Sequence, residues 1–152
     1  MKKNNSVLLI SSSGGHWVQI SKLVEGLDGV EYDVATVDPT VVGGLKYRNF
    51  YEIRDFNRDT PLKALVGVFN IISVVLKSPS THIISTGAAP GLVAIIAGRI
   101  LGRKTLWLDS IANARQLSLS GRVASRIANL TLTQWEEVAA VSRSAVYGGK
   151  VV

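Results

Sequence analysis

VLLISSSGGHWVQI, residues 7–20, is the stretch of sequence that decides the fold. Its four leading apolar residues predict a buried strand of a parallel sheet, and the serines and glycines of 11–15 predict a turn. Apolar residues then recur at helical spacing over 17–27 and predict an amphipathic helix. A strand, a glycine turn and a helix start in this order form an anion site, because free backbone N–H groups and the helix dipole meet there.

The rest of the chain alternates between strand and helix patterns. Strands are predicted at 32–37, 51–53, 81–85, 105–108, 130–133 and 146–147, and helices at 62–76, 92–101, 121–128 and 135–140. Residues 40–60 are interpreted as a long loop that contains only the short strand at 51–53. The alternation predicts an α/β fold, a Rossmann-like parallel sheet with helices on both faces, formed by residues 1–152 as one domain.

Three loops are expected to meet beyond the carboxyl ends of the strands, where such folds bind ligands. They are residues 11–16, 86–91 and 109–115, and each is rich in hydroxyl groups, glycine or charge. The first loop lacks the dinucleotide-binding, P-loop and nucleophile-elbow patterns. It contains His16, which in its neutral form accepts a proton from an attacking hydroxyl or donates to a phosphate. The alternative is a tight strand-to-helix turn with a polar cap.

The other two loops also have two interpretations each. Asp109 hydrogen-bonds sugar hydroxyls or holds Arg115, or else it is a helix cap or turn former. Arg115 pairs with a phosphate, or it is a solvated loop residue. The glycines of 86–91 let a ligand approach the backbone closely, or they belong to an ordinary turn. His82 is interpreted as structural.

The composition restricts the chemistry and the partners. The chain of 152 residues has no cysteine and two histidines, so we expect no metal site and no cofactor. The net charge of +6 favours an anionic partner, but the basic residues are scattered, which argues against nucleic acid. The apolar run behind the first six residues is too short for a signal peptide, and the lack of cysteine fits a cytoplasmic protein.

The most apolar predicted helix is residues 62–76. Its length of roughly 22 Å falls short of the ~30 Å hydrocarbon core of a bilayer, so we do not expect it to span a membrane. Either it packs on the sheet and is covered by its neighbours, or one face is exposed to lipid or to a partner.

Five short motifs resemble those of one family and keep its order. They are residues 12–19, 85–90, 108–110 with Arg115, 118–122 and 133–137. The family is that of polysaccharide-biosynthesis proteins of the PssD/CpsF type, related to the membrane-recruiting subunit of the two-part N-acetylglucosaminyltransferase that extends dolichol-diphosphate-GlcNAc. The likeness covers residues 7–147 and implies the N-terminal half of a GT-B glycosyltransferase, similar to MurG.

The resemblance also implies roles for individual residues. His16 would be the catalytic residue, as a base or by positioning the acceptor hydroxyl. The implied acceptor-binding residues are Ser13, Gly14, Gly15, Thr86, Gly87, Ala88, Asp109, Ser110 and Arg115, and the implied partner-interface residues are Gln134, Trp135, Glu136 and Glu137. One departure is that relatives often carry Glu where this chain has Asp109. Another is the missing N-terminal membrane helix of the eukaryotic relatives, so membrane contact would come from 62–76 and nearby basic residues.

Two functions of different classes follow from these observations. The first is an acceptor-binding subunit that works with a donor-binding subunit, which holds a UDP-sugar, on a lipid-diphosphate-linked saccharide. It would act in exopolysaccharide, capsule or glycolipid synthesis, peripherally on the inner face of the cell membrane. The second is a non-enzymatic module that binds a nucleotide or phosphate ligand and recruits another protein. Tight binding of a free nucleotide by the isolated chain is expected only of the second.

Overall fold

The computed structural model describes residues 5–56 and 59–152. Its strands are β1 (Ser6–Ile10), β2 (Glu31–Thr36), β3 (Phe50–Glu52), β4 (His82–Ser85), β5 (Lys104–Leu108), β6 (Leu130–Thr133) and β7 (Val146–Tyr147). Its helices are α1 (Gly15–Val24), α2 (Pro61–Lys77), α3 (Ala88–Ile100), α4 (Leu119–Ala124) and α5 (Glu136–Val141), with a 3₁₀ helix at Pro39–Val42. Over these residues the strands form one seven-stranded sheet in the order β3-β2-β1-β4-β5-β6-β7, with parallel pairs throughout. The predicted α/β class and parallel sheet are confirmed.

β1 lies in the middle of the sheet and contributes to a core on each face. Side chains alternate along a strand, so Leu8 and Ile10 point to one face and their neighbours point to the other. On the first face they pack against α2 and α3. On the opposite face the β1 side chains pack against Trp17 and Ile20 of α1. The continuous apolar run of β1 therefore reflects burial on both sides, and helices cover both faces as predicted.

Several element boundaries differ from the sequence-based predictions, among them α4, which was predicted at 121–128 and is Leu119–Ala124. α3 begins at Ala88 and not at 92, because Pro90 lies in the first turn, where its missing N–H costs nothing. The segment predicted as a loop at 40–60 begins with the 3₁₀ helix, which Asp38 caps by accepting a hydrogen bond from the Thr40 N–H at 2.8 Å. α1 ends at Val24, three residues before the predicted end.

α2, the most apolar predicted helix, packs on the sheet with one face and leaves its other face exposed. Its inner face is buried against the sheet through Ile71 and Val75. Its outer face exposes large apolar side chains, and with α3 it forms an apolar groove of about 310 Å³. The outer faces of α2 and α3 together form an apolar surface. Its most exposed side chains are Leu62, Leu65, Phe69, Leu76 and Ile100, and Ile100 is 80% exposed. Among the described residues, no helix is long and apolar enough to cross a membrane.

Asp33 on β2 is a fully buried carboxylate that joins three segments. Arg48 binds it with two nitrogens, Nε at 2.9 Å and Nη2 at 3.1 Å, and Asn49 donates a further hydrogen bond. The hydroxyls of Ser78 and Ser80, behind α2, donate at 2.6 and 3.1 Å. Burial raises the pKa of Asp33, but the hydrogen bonds from Arg48 and the other donors outweigh it and hold that pKa below its ordinary value.

Candidate functional site

A polar cavity of about 490 Å³ lies at the carboxyl ends of the central strands. It is lined by His16, Gly87, Ala88, Asp109, Ser110, Ala112, Asn113, Ser118, Leu119 and Ser120. The three loops predicted to meet do so here, since each contributes to the lining. The polar lining consists of hydroxyl groups, an amide, an imidazole and the Asp109 carboxylate, and no lysine or arginine belongs to it. Such a lining suits the hydroxyl groups of a sugar.

The β1–α1 loop places His16 in the first turn of α1. Gly14 has a φ of 73°, a backbone conformation that side chains rarely adopt, and it precedes the helix as its cap. The N–H groups of a first helical turn have no partner within the helix, so they face the end of the helix and can bind an anion. Ser13 and Gly15, on either side of the Gly14 cap, are exposed.

The imidazole of His16 is held in one orientation by the loop that follows β4. Its Nδ1 lies 2.9 Å from the carbonyl oxygen of Thr86, and the Thr86 hydroxyl donates to the His16 carbonyl at 2.6 Å. A carbonyl oxygen only accepts, so Nδ1 carries the proton in this pair. In the neutral ring Nε2 is then the unprotonated nitrogen, with a lone pair that can accept a proton.

Gly87 and Ala88 shape the cavity wall next to this ring. A Cβ atom on Gly87 would lie 2.5 Å from both Cε1 and Nδ1 of His16, so a larger residue would displace the imidazole. Gly87 has a φ of 138° and Ala88 a φ of 63°, which places two consecutive residues in conformations unusual for side-chain-bearing residues. Strain of this kind collects at functional sites, where surrounding structure maintains it.

Asp109 lies in the cavity wall, but internal hydrogen bonds occupy its carboxylate. Its side chain accepts from Trp107 Nε1 at 3.0 Å, from the Ser118 hydroxyl at 2.7 Å and from the Ser118 N–H at 2.9 Å. Ser118 in turn caps α4 by accepting from the Gly121 N–H. Asp109 therefore positions the loop that carries the cavity's serines. Among the described residues no ion pair joins it to Arg115, so the predicted holding of Arg115 is wrong.

Ser110 and Gln19 connect this wall to α1. The Gln19 amide donates to Ser110 Oγ at 3.3 Å and to the Gly15 carbonyl at 3.0 Å, and its oxygen accepts from the Ile111 N–H. Ser110 Oγ also accepts from the Ala112 N–H, so its own hydroxyl proton remains available to a ligand. Gln19 is a buried positioning residue that the sequence analysis missed, because its partners lie about ninety residues away along the chain.

Gln134 is buried, which corrects its predicted place at a partner interface. Its exposed fraction is 0%, and its amide donates to Gln19 Oε1 at 2.6 Å and to the Asp109 carbonyl at 3.1 Å. Its oxygen accepts from the Val151 N–H. The side chain therefore belongs to the internal network beneath the cavity and is not available to a partner.

The other predicted site residues lie at the surface. Trp135 is half-buried: its Nε1 donates to the Ile111 carbonyl at 2.7 Å, and the Lys150 ammonium lies 4.3 Å from its ring centroid. Glu136 and Glu137 are exposed in the first turn of α5. Arg115 is exposed on the 111–118 loop and is not among the residues that line the cavity.

Three polar lining residues are not among the predicted site residues: Asn113, Ser118 and Ser120. Ser118 had a recognisable signal, since a serine at the start of a helix is a preferred cap. Within the described residues there is no group of three or more His, Asp or Glu side chains that could hold a metal ion.

The fold is that of one half of a GT-B glycosyltransferase. MurG from Acinetobacter baumannii is similar over 94% of this chain and 45% of its own, with a TM-score of 0.75 and 16% sequence identity. A UDP-GlcNAc 2-epimerase from Neisseria meningitidis bound to UDP-GlcNAc is similar over 96% of this chain and 47% of its own, with a TM-score of 0.67 and 13% identity. A glycosyltransferase from Rickettsia africae is similar over 97% of this chain and 43% of its own, with a TM-score of 0.65 and 16% identity.

These likenesses concern the fold, and the chain spans less than half the length of each of these structures. No protein-family model matches the sequence, and no curated protein is significantly similar to it.

Proposed function

We propose that this chain is the acceptor-binding half of a two-part glycosyltransferase. The observation that carries the proposal is the fixed imidazole of His16, whose Nδ1 is held by the Thr86 carbonyl and whose Nε2 remains free in a residue that lines the cavity. The wall of that cavity offers hydroxyl and amide groups to a sugar. The fold is shared with MurG over 94% of this chain and 45% of the MurG chain, which supports an assignment to one half of such an enzyme.

In the proposed reaction His16 acts as the general base. Nε2 takes the proton of the acceptor hydroxyl while that oxygen forms a bond to the anomeric carbon of the donor sugar. The bond between that carbon and the UDP oxygen breaks, and UDP leaves with the electron pair. The imidazolium that results is stabilised by the Thr86 carbonyl, which accepts from Nδ1. One base and stabilisation of the leaving diphosphate are sufficient for transfer with inversion.

The acceptor is proposed to be a lipid-diphosphate-linked saccharide of exopolysaccharide, capsule or glycolipid synthesis. Its diphosphate would meet the first-turn N–H groups of α1 behind Gly14, and its sugar would occupy the cavity near Ser110. Arg115, which is exposed on the adjoining loop, is proposed to pair with a phosphate of the bound ligand. Trp135, Glu136 and Glu137 remain the proposed contact with the donor-binding subunit.

Calorimetric titration of the isolated chain with UDP and with UDP-sugars tests this division of labour. We expect no saturable heat from the isolated chain, because the nucleotide site belongs to the partner, and saturable binding after the donor-binding subunit is added. Tight nucleotide binding by the isolated chain would instead support a nucleotide-binding recruitment module. Sugar transfer by the isolated chain would overturn the two-subunit proposal.

Peripheral attachment to the inner face of the cell membrane is proposed for the exposed faces of α2 and α3. Changing both Phe69 and Ile100 to serine is expected to weaken binding to phosphatidylcholine vesicles at least about tenfold, since burying one large apolar side chain contributes ~1.5–3 kcal/mol. Vesicle sedimentation measures the effect. Val18→Ser, which removes an exposed apolar side chain from α1 on the other face of the sheet, is the matched control. Equal binding by both variants would contradict the proposed orientation.

A further inference from the structure

Three arginines surround a cleft between α4 and α5 that is separate from the candidate site. The cleft has a volume of about 550 Å³. It is lined by Gln116, Leu117, Arg122, Ser125, Arg126, Val138, Val141, Ser142, Arg143 and Ser144. Its floor is apolar, because Leu117 and Val138 are buried there against each other. The cations therefore form a basic rim over an apolar floor.

The three guanidinium groups come from three different segments of the chain. Arg122 lies in α4, Arg126 in the turn that follows it, and Arg143 in the connection between α5 and β7. In the part of the chain that the structure describes, no carboxylate forms an ion pair with any of them. The cleft therefore presents three exposed positive charges that no carboxylate of the described residues neutralises.

Helix dipoles favour cations at the ends of α4 and α5, but they do not require the three side chains to line one cleft. A cation near the end of α4 is favoured by the helix dipole, which explains Arg126. The same effect favours Arg143, which lies two residues beyond the end of α5. Arg122 and Arg126 line the same cleft as Arg143, so their like charges repel one another. An anionic ligand would relieve this repulsion, and the planar guanidinium groups match the oxygens of a phosphate.

We propose that this cleft binds the phosphate of an anionic phospholipid headgroup. α4 packs against α3, whose outer face carries the apolar surface proposed to contact the membrane. Val141, beside the arginines, is 78% exposed and extends the apolar character to the rim of the cleft. The choice of a lipid as the source of the phosphate rests on the proposed membrane contact of α2 and α3. It does not depend on the proposed transfer reaction.

Vesicle sedimentation with two lipid compositions tests the proposal. The probes are vesicles of phosphatidylcholine alone and of phosphatidylcholine mixed with phosphatidylglycerol. Changing both Arg126 and Arg143 to alanine is expected to weaken binding to the mixed vesicles about 30-fold, because each basic side chain near an anionic surface contributes roughly fivefold. Binding to phosphatidylcholine alone should not change. The variant with Phe69 and Ile100 changed to serine is expected to lose binding to both vesicle compositions. The two variants together therefore separate a failure of this proposal from a failure of the membrane contact.

Two further variants distinguish a built phosphate site from general attraction between charges. Changing Lys22 and Lys46 to alanine removes the same charge from the α1 face of the sheet, where both side chains are exposed, and is expected to change binding less than about threefold because salt screens charges beyond ~10 Å. Changing Arg126 and Arg143 to lysine keeps the charge and removes paired hydrogen bonding, so a clear loss is expected. The site would be overturned if changing Lys22 and Lys46 to alanine weakened vesicle binding as much as changing the two arginines to alanine. Full vesicle binding after Arg126 and Arg143 are changed to lysine would also overturn it.

A soluble phosphate is separated from a lipid by adding inorganic phosphate and glycerol phosphate to the protein without vesicles. We expect little stabilisation against heat by either compound, because the neighbouring apolar surface contributes only when a bilayer is present. Strong stabilisation that disappears when Arg126 and Arg143 are changed to alanine, with no preference for phosphatidylglycerol vesicles, would assign the cleft to a soluble phosphate and overturn the lipid assignment.

Discussion

Replacing His16 by alanine is expected to lower the rate of sugar transfer by the reconstituted two-subunit enzyme about 100- to 10,000-fold, the range that a general base supplies. The reason is the loss of Nε2, the free ring nitrogen of a side chain fixed by Thr86. Initial rates with a lipid-linked acceptor measure the effect. The KM for the acceptor should change far less than kcat, because the cavity's serines and asparagine remain in place.

His16→Asn is the matched control for this experiment. An asparagine amide can donate to the Thr86 carbonyl as Nδ1 does, but it has no counterpart of the Nε2 lone pair. We expect this variant to be as inactive as the alanine variant and to unfold at nearly the wild-type temperature. A wild-type rate from the asparagine variant would show that His16 only orients the loop. A wild-type rate from the alanine variant would remove His16 from the reaction altogether.

Replacing Asp33 by alanine is expected to lower the free energy of unfolding by about 2–4 kcal/mol, because buried hydroxyl donors lose their acceptor and a partly buried guanidinium loses its main partner. The change leaves the Arg48 guanidinium with only the exposed Glu31 carboxylate and removes the acceptor of the Ser78 and Ser80 hydroxyls. Denaturant titration measures the loss. Asp28→Ala, at an exposed turn, removes one carboxylate without a buried partner and should have little effect.

The same carboxylate makes the stability depend on pH in a defined direction. The pKa of Asp33 in the folded protein lies below its ordinary value of 3.8, so near that pH the unfolded chain binds more protons than the folded one. The contribution of Asp33 to the free energy of unfolding is therefore present in full above about pH 5. It is lost as the pH falls through 3.8 toward the pKa of Asp33 in the folded protein. Asp33→Asn should flatten the stability profile in this window. An unchanged slope would show that Asp33 contributes no such dependence.

The fold was predictable because it depends on local patterns. The apolar run of β1, the glycines before α1 and the strand–helix alternation each occupy a short stretch of sequence, and together they require a parallel sheet. The meeting of three loops at one edge follows from that topology alone. The start of α3 was predicted too late, because Pro90 was interpreted as part of a turn when it belongs to the first turn of the helix.

The roles of single polar residues in the site were less predictable, because they depend on partners far along the chain. Gln134 is buried, and its amide donates a hydrogen bond to Gln19, which is 115 residues away along the chain. Asp109 shows the same limit: its sequence position at a strand end fits a ligand contact or a cap equally well. Only its three hydrogen bonds to Trp107 and Ser118 show that it supports the cavity wall from within.

The place of β1 in the middle of an all-parallel sheet has a consequence for the synthesis of the protein. One edge of β1 pairs with β2 early, but its other edge pairs Val7 with His82 and must wait for β4 to be made. At about 5–20 residues per second, the segment between β2 and β4 takes several seconds to synthesise. During that time the apolar β1–β2 unit has an open edge, which is the state in which parallel sheets aggregate. We therefore expect the nascent chain to need chaperone protection until Ser85 has left the ribosome.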